Sequence, residues 1–506
     1  MKRSVYVLVM AVCFCGLSSA WATDFVFHGD LNHRVMYTNH FDWFQGDHKG
    51  VLNDGNMEDN YAEIKYRLWT EVGMNDGKIL GVFAIEMGGI PFGDAAKGGS
   101  YSGDKINMET RWAYTDYQIP GISNKSRVRV GLQPFKVNSF LWNETAMAVK
   151  YYESYNILDL ELAWLRTCNV FEVDDSDTNV EDIDYVYARY DLRMLSNFKT
   201  GIFGVYGFNT GNPGETDSQY KDKDGNKTKI GKITPRSYMI KRLPSNVKLR
   251  LWHAGLDGSF SANLPYLPFV GDVKLTVNWD GIYQFGKIKN AMYFDDIITE
   301  KSYDGDLDVN AYLVALQFGL DMDKIKFSYT GWYASGDRDP EDDQLNGFMA
   351  IDMHRSESII LFEGSFADEK TFTGRPNFLD KGFIMNKVAL DYKVTDTIKV
   401  GLAGLHMRTS EPINYLVPLG YRDQIIWNGQ QPTVKKVPIS VLDSRNRSIG
   451  YEVDAYMTVS LYQHLEFGIN GGYLFSGRVM DLFEVKRDGF ANEDVYSIAS
   501  RIRYKF

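Results

Sequence analysis

The feature that most constrains this chain is a two-residue alternation that recurs from one end to the other. The segment Val495–Phe506 shows it most clearly. Tyr496, Ile498, Ser500, Ile502, Tyr504 and Phe506 fall on one face, and Ser497, Ala499, Arg501, Arg503 and Lys505 on the other. Side chains alternate across a strand, so this pattern fits a β-strand and not a helix of period 3.6. It returns with Ile64, Tyr66 and Leu68 against Glu63, Lys65 and Arg67, and with Val128 and Val130 against Arg127 and Arg129. Ile325, Phe327 and Tyr329 against Lys324, Lys326 and Ser328, and Ile449–Leu461, repeat it again. A soluble sheet alternates too, with one face on a core and one in water. The connections separate the two cases.

Short turns alternate with long polar segments. The short ones are Asn75–Gly77, Pro120–Ser126, Ser196–Asn197, Asp321–Asp323, Thr395–Thr397 and Tyr462–His464. The long ones are Asn39–Asn60, Gly88–Lys105, Cys168–Asp182, Thr210–Ser245, Lys287–Asp306, Ser335–Lys381, Arg408–Arg445 and Gly477–Glu493. Short turns at one end and long loops at the other are the arrangement of an outer-membrane barrel, with the turns periplasmic and the loops extracellular. The expected fold is therefore all-β: a transmembrane antiparallel β-barrel. Eighteen strands are expected, near 24–37, 61–73, 78–88, 106–119, 126–136, 146–152, 157–167, 184–194, 198–208, 246–260, 271–286, 308–320, 324–335, 382–394, 397–408, 447–461, 464–476 and 494–506. Without 146–152 and the turn Glu153–Asn156 the number falls to 16. Either number is even, as bacterial single-chain barrels require.

The first residues read as an export signal. Lys2 and Arg3 precede an apolar run from Val5 to Leu17, and Ala20-Trp21-Ala22 is a small-x-small cleavage pattern. Residues 1–22 are thus expected to leave, with 23–506 forming the barrel in a Gram-negative outer membrane. The apolar run is shorter than the ~20 residues of a spanning helix. Aromatic residues make up 14% of the chain, suiting the girdles at both membrane interfaces. A mean hydropathy of −0.30 is compatible with a barrel, because only alternate residues face lipid. The net charge of −11 argues against a nucleic-acid partner. Cys13 and Cys15 lie in the signal, leaving Cys168 without an internal partner for a disulfide.

A barrel of 16 or 18 strands is expected to enclose water instead of a packed core. The inward charges agree, since so many Lys, Arg and Glu side chains do not fit a dry interior. Candidate pore-lining residues are Lys65, Arg67, Arg111, Arg127, Arg129 and Glu144. A carboxylate facing a basic wall would set a transverse field across the lumen. The plainer reading is ordinary solvated lumen charges at different heights.

The strand Arg127–Val137, the strand end YTGWYASGD (Tyr329–Asp337), the hairpin Ile449–Phe475 and the terminal Tyr504–Phe506 carry a resemblance to general bacterial porins. The chain most resembles the homotrimeric outer-membrane porins of sulfate-reducing bacteria, over most of its length beyond the signal. The resemblance implies a homotrimer in outer-membrane lipid and lipopolysaccharide, and passive diffusion of small hydrophilic solutes and ions. It also implies that the Tyr504–Phe506 end is an insertion signal read by the barrel-assembly machinery. General porins fold a third loop inward. Its counterpart here is the short connection Lys136–Thr145, which contains Asn143 and Glu144. Two further functions are carried: a substrate-selective channel for organic acids or sugars, and an outer-membrane enzyme or adhesin on a barrel.

No catalytic motif stands out, and no cofactor or metal is expected. Asp175, Asp177 and Asn179 have the spacing of a calcium loop. Val180 stands where the loop needs glycine, and Val186 where it needs the bidentate glutamate. Asp222–Asn226 reads as a polar turn.

Overall fold

A computed structural model describes residues 24–39, 59–74, 76–94, 98–100, 106–122, 125–167, 182–209, 217–221, 227–228, 231–233, 238–243, 247–267, 271–294, 302–339, 341–361, 366, 379–427, 432–479 and 494–506. The export signal, Cys168, the Asp175–Asn179 spacing and the turn Asp222–Asn226 lie outside them.

Twenty of the described strands hydrogen-bond into one sheet. Two of these, Gly231–Ile233 and Gln344–Leu345, are short and pair in parallel with the ends of longer strands. The remaining 18 run up and down, each antiparallel to the next. They are β1 Asp24–Thr38, β2 Asp59–Met74, β3 Ile79–Pro91, β4 Glu109–Gln118, β5 Ser126–Asn138, β6 Trp142–Ser154, β7 Leu158–Thr167, β8 Ile183–Leu195 and β9 Phe198–Phe208. Then follow β10 Lys248–Leu267, β11 Gly271–Phe294, β12 Ser302–Met322, β13 Ile325–Ala334, β14 Phe383–Lys393, β15 Ile398–Trp427, β16 Pro432–Tyr462, β17 Leu465–Ser476 and β18 Val495–Lys505. β1 pairs with β18 from Asp30↔Lys505 to Thr38↔Ser497, which closes the barrel. At the seam Gly29 and Phe506 exchange both backbone hydrogen bonds, at 2.9 and 3.0 Å. A Cβ at Gly29 would overlap the Phe506 ring, so the terminal aromatic ring lies where only glycine admits it.

The expected strands are all present, and the number is 18. The segment near 146–152 is longer than its pattern suggested, running from Trp142 to Ser154. In the short connection between β2 and β3, Asp76 and Gly77 adopt φ of 54° and 76°, in the left-handed region that turn residues of these types favour.

Three expected loops differ. Arg408–Arg445 is mostly strand, because β15 and β16 continue as one paired hairpin to Trp427↔Pro432. Four register shifts in that pairing break the two-residue alternation, which is why the sequence reads as loop. Lys287–Asp306 is likewise shortened by β11 and β12, which pair out to Phe294↔Ser302 with a shift between Ile288 and Ala291. The Lys136–Thr145 connection shrinks to Ser139–Leu141, with Asn143 and Glu144 inside β6.

The faces separate by chemistry. Val35, Phe83, Val149, Leu162, Trp164, Ile202, Leu256, Val314, Leu316, Leu390, Leu402, Val453, Ile498 and Ile502 are all exposed on the outer face. So broad an apolar belt belongs in hydrocarbon, not in water. Towards the long-loop end the belt becomes aromatic. Tyr206 stacks on Trp252 at 4.4 Å, Tyr283 on Phe285 at 5.5 Å, and Tyr312 on Tyr333 at 5.5 Å.

The interior corrects the expectation of an entirely aqueous lumen. On the β5–β14 side, the inward rows carry Phe135, Tyr185, Tyr187, Phe203, Leu251, Leu313 and Met385, all buried. They pack against Phe348, Met349, Ile351 and Met353 of the connection after β13. Apolar side chains on the inner wall exclude water when a loop supplies apolar partners, and this connection supplies them.

Candidate pore constriction

Two segments enter the barrel from the long-loop end and meet inside it. The first is the tip of the β5–β6 hairpin, residues 137–142. It leans across the lumen to the far wall: Asn138 Nδ2 donates to Asp280 Oδ1 on β11 at 2.6 Å, and the Phe140 ring lies 5.6 Å from that of Trp332 on β13. Arg189 on β8 donates to the Val137 carbonyl at 3.2 Å. The second is the connection after β13, residues 335–361. It runs back to the hairpin tip, where the backbone N–H groups of Ile351 and Asp352 both donate to the Leu141 carbonyl, at 3.0 and 2.9 Å. The N–H of His354 donates to Ser139 O at 3.1 Å.

The second segment has two further anchors. Gln284 of β11 grips Met349 through both its amide atoms, each at 3.0 Å. Glu452 of β16 accepts from the Ser358 hydroxyl at 2.6 Å and from the N–H groups of Ile359 and Ile360 at 2.7 and 3.1 Å. A carboxylate taking several local donors is a strong, directional clamp. The segment therefore bridges walls that lie far apart around the barrel.

The inward charges gather in separate clusters. Glu86 on β3 sits among Lys65 (3.0 Å), Arg67 and Arg111 (3.8 Å). Arg111 also reaches Glu144 at 2.9 Å. These bring together Lys65, Arg67, Arg111 and Glu144 of the residues singled out from sequence. Arg127 and Arg129 belong elsewhere, nearer the short turns, where both donate to Asp116, at 2.6 and 2.9 Å. A third set lines the seam: Arg34 with Glu63 at 2.6 Å, Arg503 with Asp30, and Arg501 with Glu466 at 3.0 Å. Glu144 stands beside Arg111 instead of across the lumen from it. A fourth set lies on β8, β10 and β11: Asp191 and Asp257 both lie 2.7 Å from Arg189, and Asp280 accepts from Asn138.

Sequence reasoning missed Glu86 and Asp116, the hubs of two clusters. Their signal was present, since each has inward parity on a strand next to inward cations. It also missed the segment 335–361. There the available signal was the apolar run Phe348-Met349-Ala350-Ile351 inside a connection taken as polar. Exposed, such a run would be costly, so it points to burial.

Within that segment Asp352 is 2% exposed and lies 2.7 Å from Lys241 Nζ. Burial pushes its carboxyl up, but His354 and Lys241 beside it outweigh this and hold it below the usual carboxylate range. Asp337, at the start of the segment, goes the other way. Burial pushes it to about 7; Lys381 opposes the shift and Asp342 adds to it.

No protein-family model matches the chain, and no curated protein matches it. Among solved structures it is similar to the outer membrane protein OpdK from Pseudomonas aeruginosa, with a TM-score of 0.48, 10% identity, and 95% of this chain and 98% of that one covered. A structure of OpdK with vanillate gives 0.48 and 11%, with the same coverage. The outer membrane protein OprD from Pseudomonas aeruginosa gives 0.48 and 9%, covering 97% of this chain and 95% of that one.

Proposed function

We propose that this protein is an outer-membrane channel through which small hydrophilic solutes and ions diffuse passively. The observation that carries the reading is the closed 18-strand barrel, apolar outside and lined inside by clustered charges. A charged lumen through a hydrocarbon layer replaces the hydration that ions would otherwise lose. On this reading residues 1–22 are a signal cleaved near Ala22, and the short turns face the periplasm. Lys65, Arg67, Arg111, Arg127, Arg129 and Glu144 line the path. The Tyr504–Phe506 end is the insertion signal for the barrel-assembly machinery, and three copies associate among lipid and lipopolysaccharide.

The experiment is single-channel recording of purified protein in planar bilayers. Stepwise, ohmic conductance with closures in threes is expected. Silence from protein with the gel mobility of a folded barrel would refute the reading.

A second reading, a substrate-selective channel, is favoured by the two segments that meet in the lumen and narrow it. Liposome swelling with sized solutes separates the two. Rates that fall smoothly with solute size fit general diffusion, and saturation by one chemical class fits selectivity.

A further inference from the structure

Where the two inward segments touch, three metal-binding side chains converge. Glu144 comes from β6 on the barrel wall. Asp352 and His354 come from the connection after β13. Their ligand atoms all lie within 4.8 Å of one another. We propose that Glu144, Asp352 and His354 form a binding site for a transition-metal dication of the Zn²⁺ class, which ties the inward segment to the wall.

The spacing is the first reason. His354 Nε2 is 3.5 Å from Glu144 Oε2 and 3.7 Å from Asp352 Oδ1. Among the described residues this buried nitrogen makes no hydrogen bond. It is too far from either oxygen for a good one. Zinc bonds of 2.0–2.1 Å place neighbouring ligands of a tetrahedron about 3.3–3.4 Å apart. The two His354 distances need to shorten by only a few tenths of an ångström, and the Glu144 and Asp352 oxygens, already within 4.8 Å of each other, close on the ion from either side, leaving a position for water.

Preorganisation is the second reason. The Ile351 and Asp352 N–H bonds to Leu141 O, the Asn143 N–H bond to Asp352 O at 3.2 Å and the His354 N–H bond to Ser139 O fix the two loop ligands against β6. Glu144 is oriented through its other oxygen. Oε1 accepts from Thr145 N at 2.7 Å and pairs with Arg111 at 2.9 Å, so Oε2 is turned to His354. Such outer contacts orient the ligands of metal sites.

Lys241 and Arg111 set the metal class. Each is paired with one of the carboxylates, so a hard cation held by charge alone gains little there. A metal with real affinity for imidazole is favoured over Mg²⁺ or Ca²⁺. Lys241 is also a competitor, because its ammonium occupies Asp352 Oδ1, the ligand oxygen.

The test uses full-length, untagged protein in detergent, with barrel folding checked by unheated gel mobility. Co²⁺ is the optical probe and Zn²⁺ its competitor. One Co²⁺ per chain is expected, with visible bands that Zn²⁺ removes and millimolar Mg²⁺ does not. His354→Ala should weaken binding at least about tenfold, and Glu144→Gln should weaken it too. Lys241→Met should tighten it, which no merely structural role for the cluster predicts. The proposal is overturned if folded wild-type protein gives no such bands, if His354→Ala binds Co²⁺ as tightly, or if Lys241→Met leaves affinity unchanged or lower. The readout is binding and not conductance, so its failure leaves the channel reading standing.

Discussion

Replacing Phe140 with alanine should release the hairpin tip from the far wall. Phe140 is fully buried at that tip, and its ring has two partners. The Trp332 ring lies 5.6 Å away, and the Arg355 guanidinium carbon sits 3.9 Å over its face. Truncating a buried Phe to Ala costs about 3–5 kcal/mol through lost burial and the cavity left behind. The cation–π contact lies within that figure, since it vanishes with the same ring. None of the cost falls on the strand ladder, so it falls on docking. At 1.4 kcal/mol per tenfold, the docked-to-undocked ratio drops roughly 140- to 3,700-fold.

Two measurements read this out on protein whose unheated gel mobility is normal. Limited proteolysis should cut within residues 335–361 much faster in Phe140→Ala, because that segment docks on the Ser139–Leu141 carbonyls. Single-channel records should show a larger mean conductance and more flicker. If both conductance and proteolysis match wild type, the hairpin tip is not what holds the second segment, and the constriction described above is wrong.

Other perturbations test other levels. Leu316→Arg places a charge on the lipid face and should cost about 2–4 kcal/mol near mid-membrane, seen as a lower urea midpoint in refolding. The same change at Gln317, one residue on and facing inward, should cost far less. Glu86→Gln removes the carboxylate gathered by Lys65, Arg67 and Arg111. At about 1 kcal/mol for a unit charge near 4 Å in water, Cl⁻ entry gains and K⁺ entry loses roughly fivefold each, so the Cl⁻/K⁺ permeability ratio should rise by up to about 30-fold, read from reversal potentials. Asp337 gives a pH signature. Its carboxyl is held near 7 in the fold against an ordinary 3.8, so the folded segment binds the proton more tightly than the unfolded one. Its packing is therefore fully supported below about pH 4 and loses support as pH rises through about 7. Hydrogen exchange around residues 335–348 should accelerate from pH 5 to pH 8 beyond the intrinsic trend, and Asp337→Asn should abolish the excess.

How much of this was legible in the sequence depended on whether geometry acts locally. The outer and inner rows of β18 follow from parity alone, and Ile498, Ile502 and Tyr504 are exposed where parity put them. Strand number was legible for the same reason, because each strand carries its own alternation and its own turn. What resisted reading depends on contacts distant in sequence. Glu144 was assigned to a loop because nothing local shows that Phe135 and Trp142 pack together, at 5.0 Å, and extend the strands. Local sequence points to one inward connection, whereas two segments meet inside the barrel. The second reads in the sequence as a long polar segment, although its apolar runs find partners on the barrel wall. The β15–β16 extension was hidden by bulges, which shift parity without ending the ladder.

The seam has a consequence for the order in which this barrel can be made. Among the 18 long strands, every other pairing joins neighbours in the chain and can form as a hairpin or close on a nearby strand. The β1–β18 seam joins Asp30 to Arg503, 473 residues away. Until that contact forms, β1 offers a row of unsatisfied hydrogen-bonding groups, an edge open to any passing strand. So distant a closure comes late, since its loop entropy is recovered only when the intervening hairpins are in place. For the whole of its construction the sheet is thus an unclosed ribbon with two adhesive margins. Its greatest hazard is a second unfinished ribbon, and it needs a temporary partner for those margins until β18 arrives.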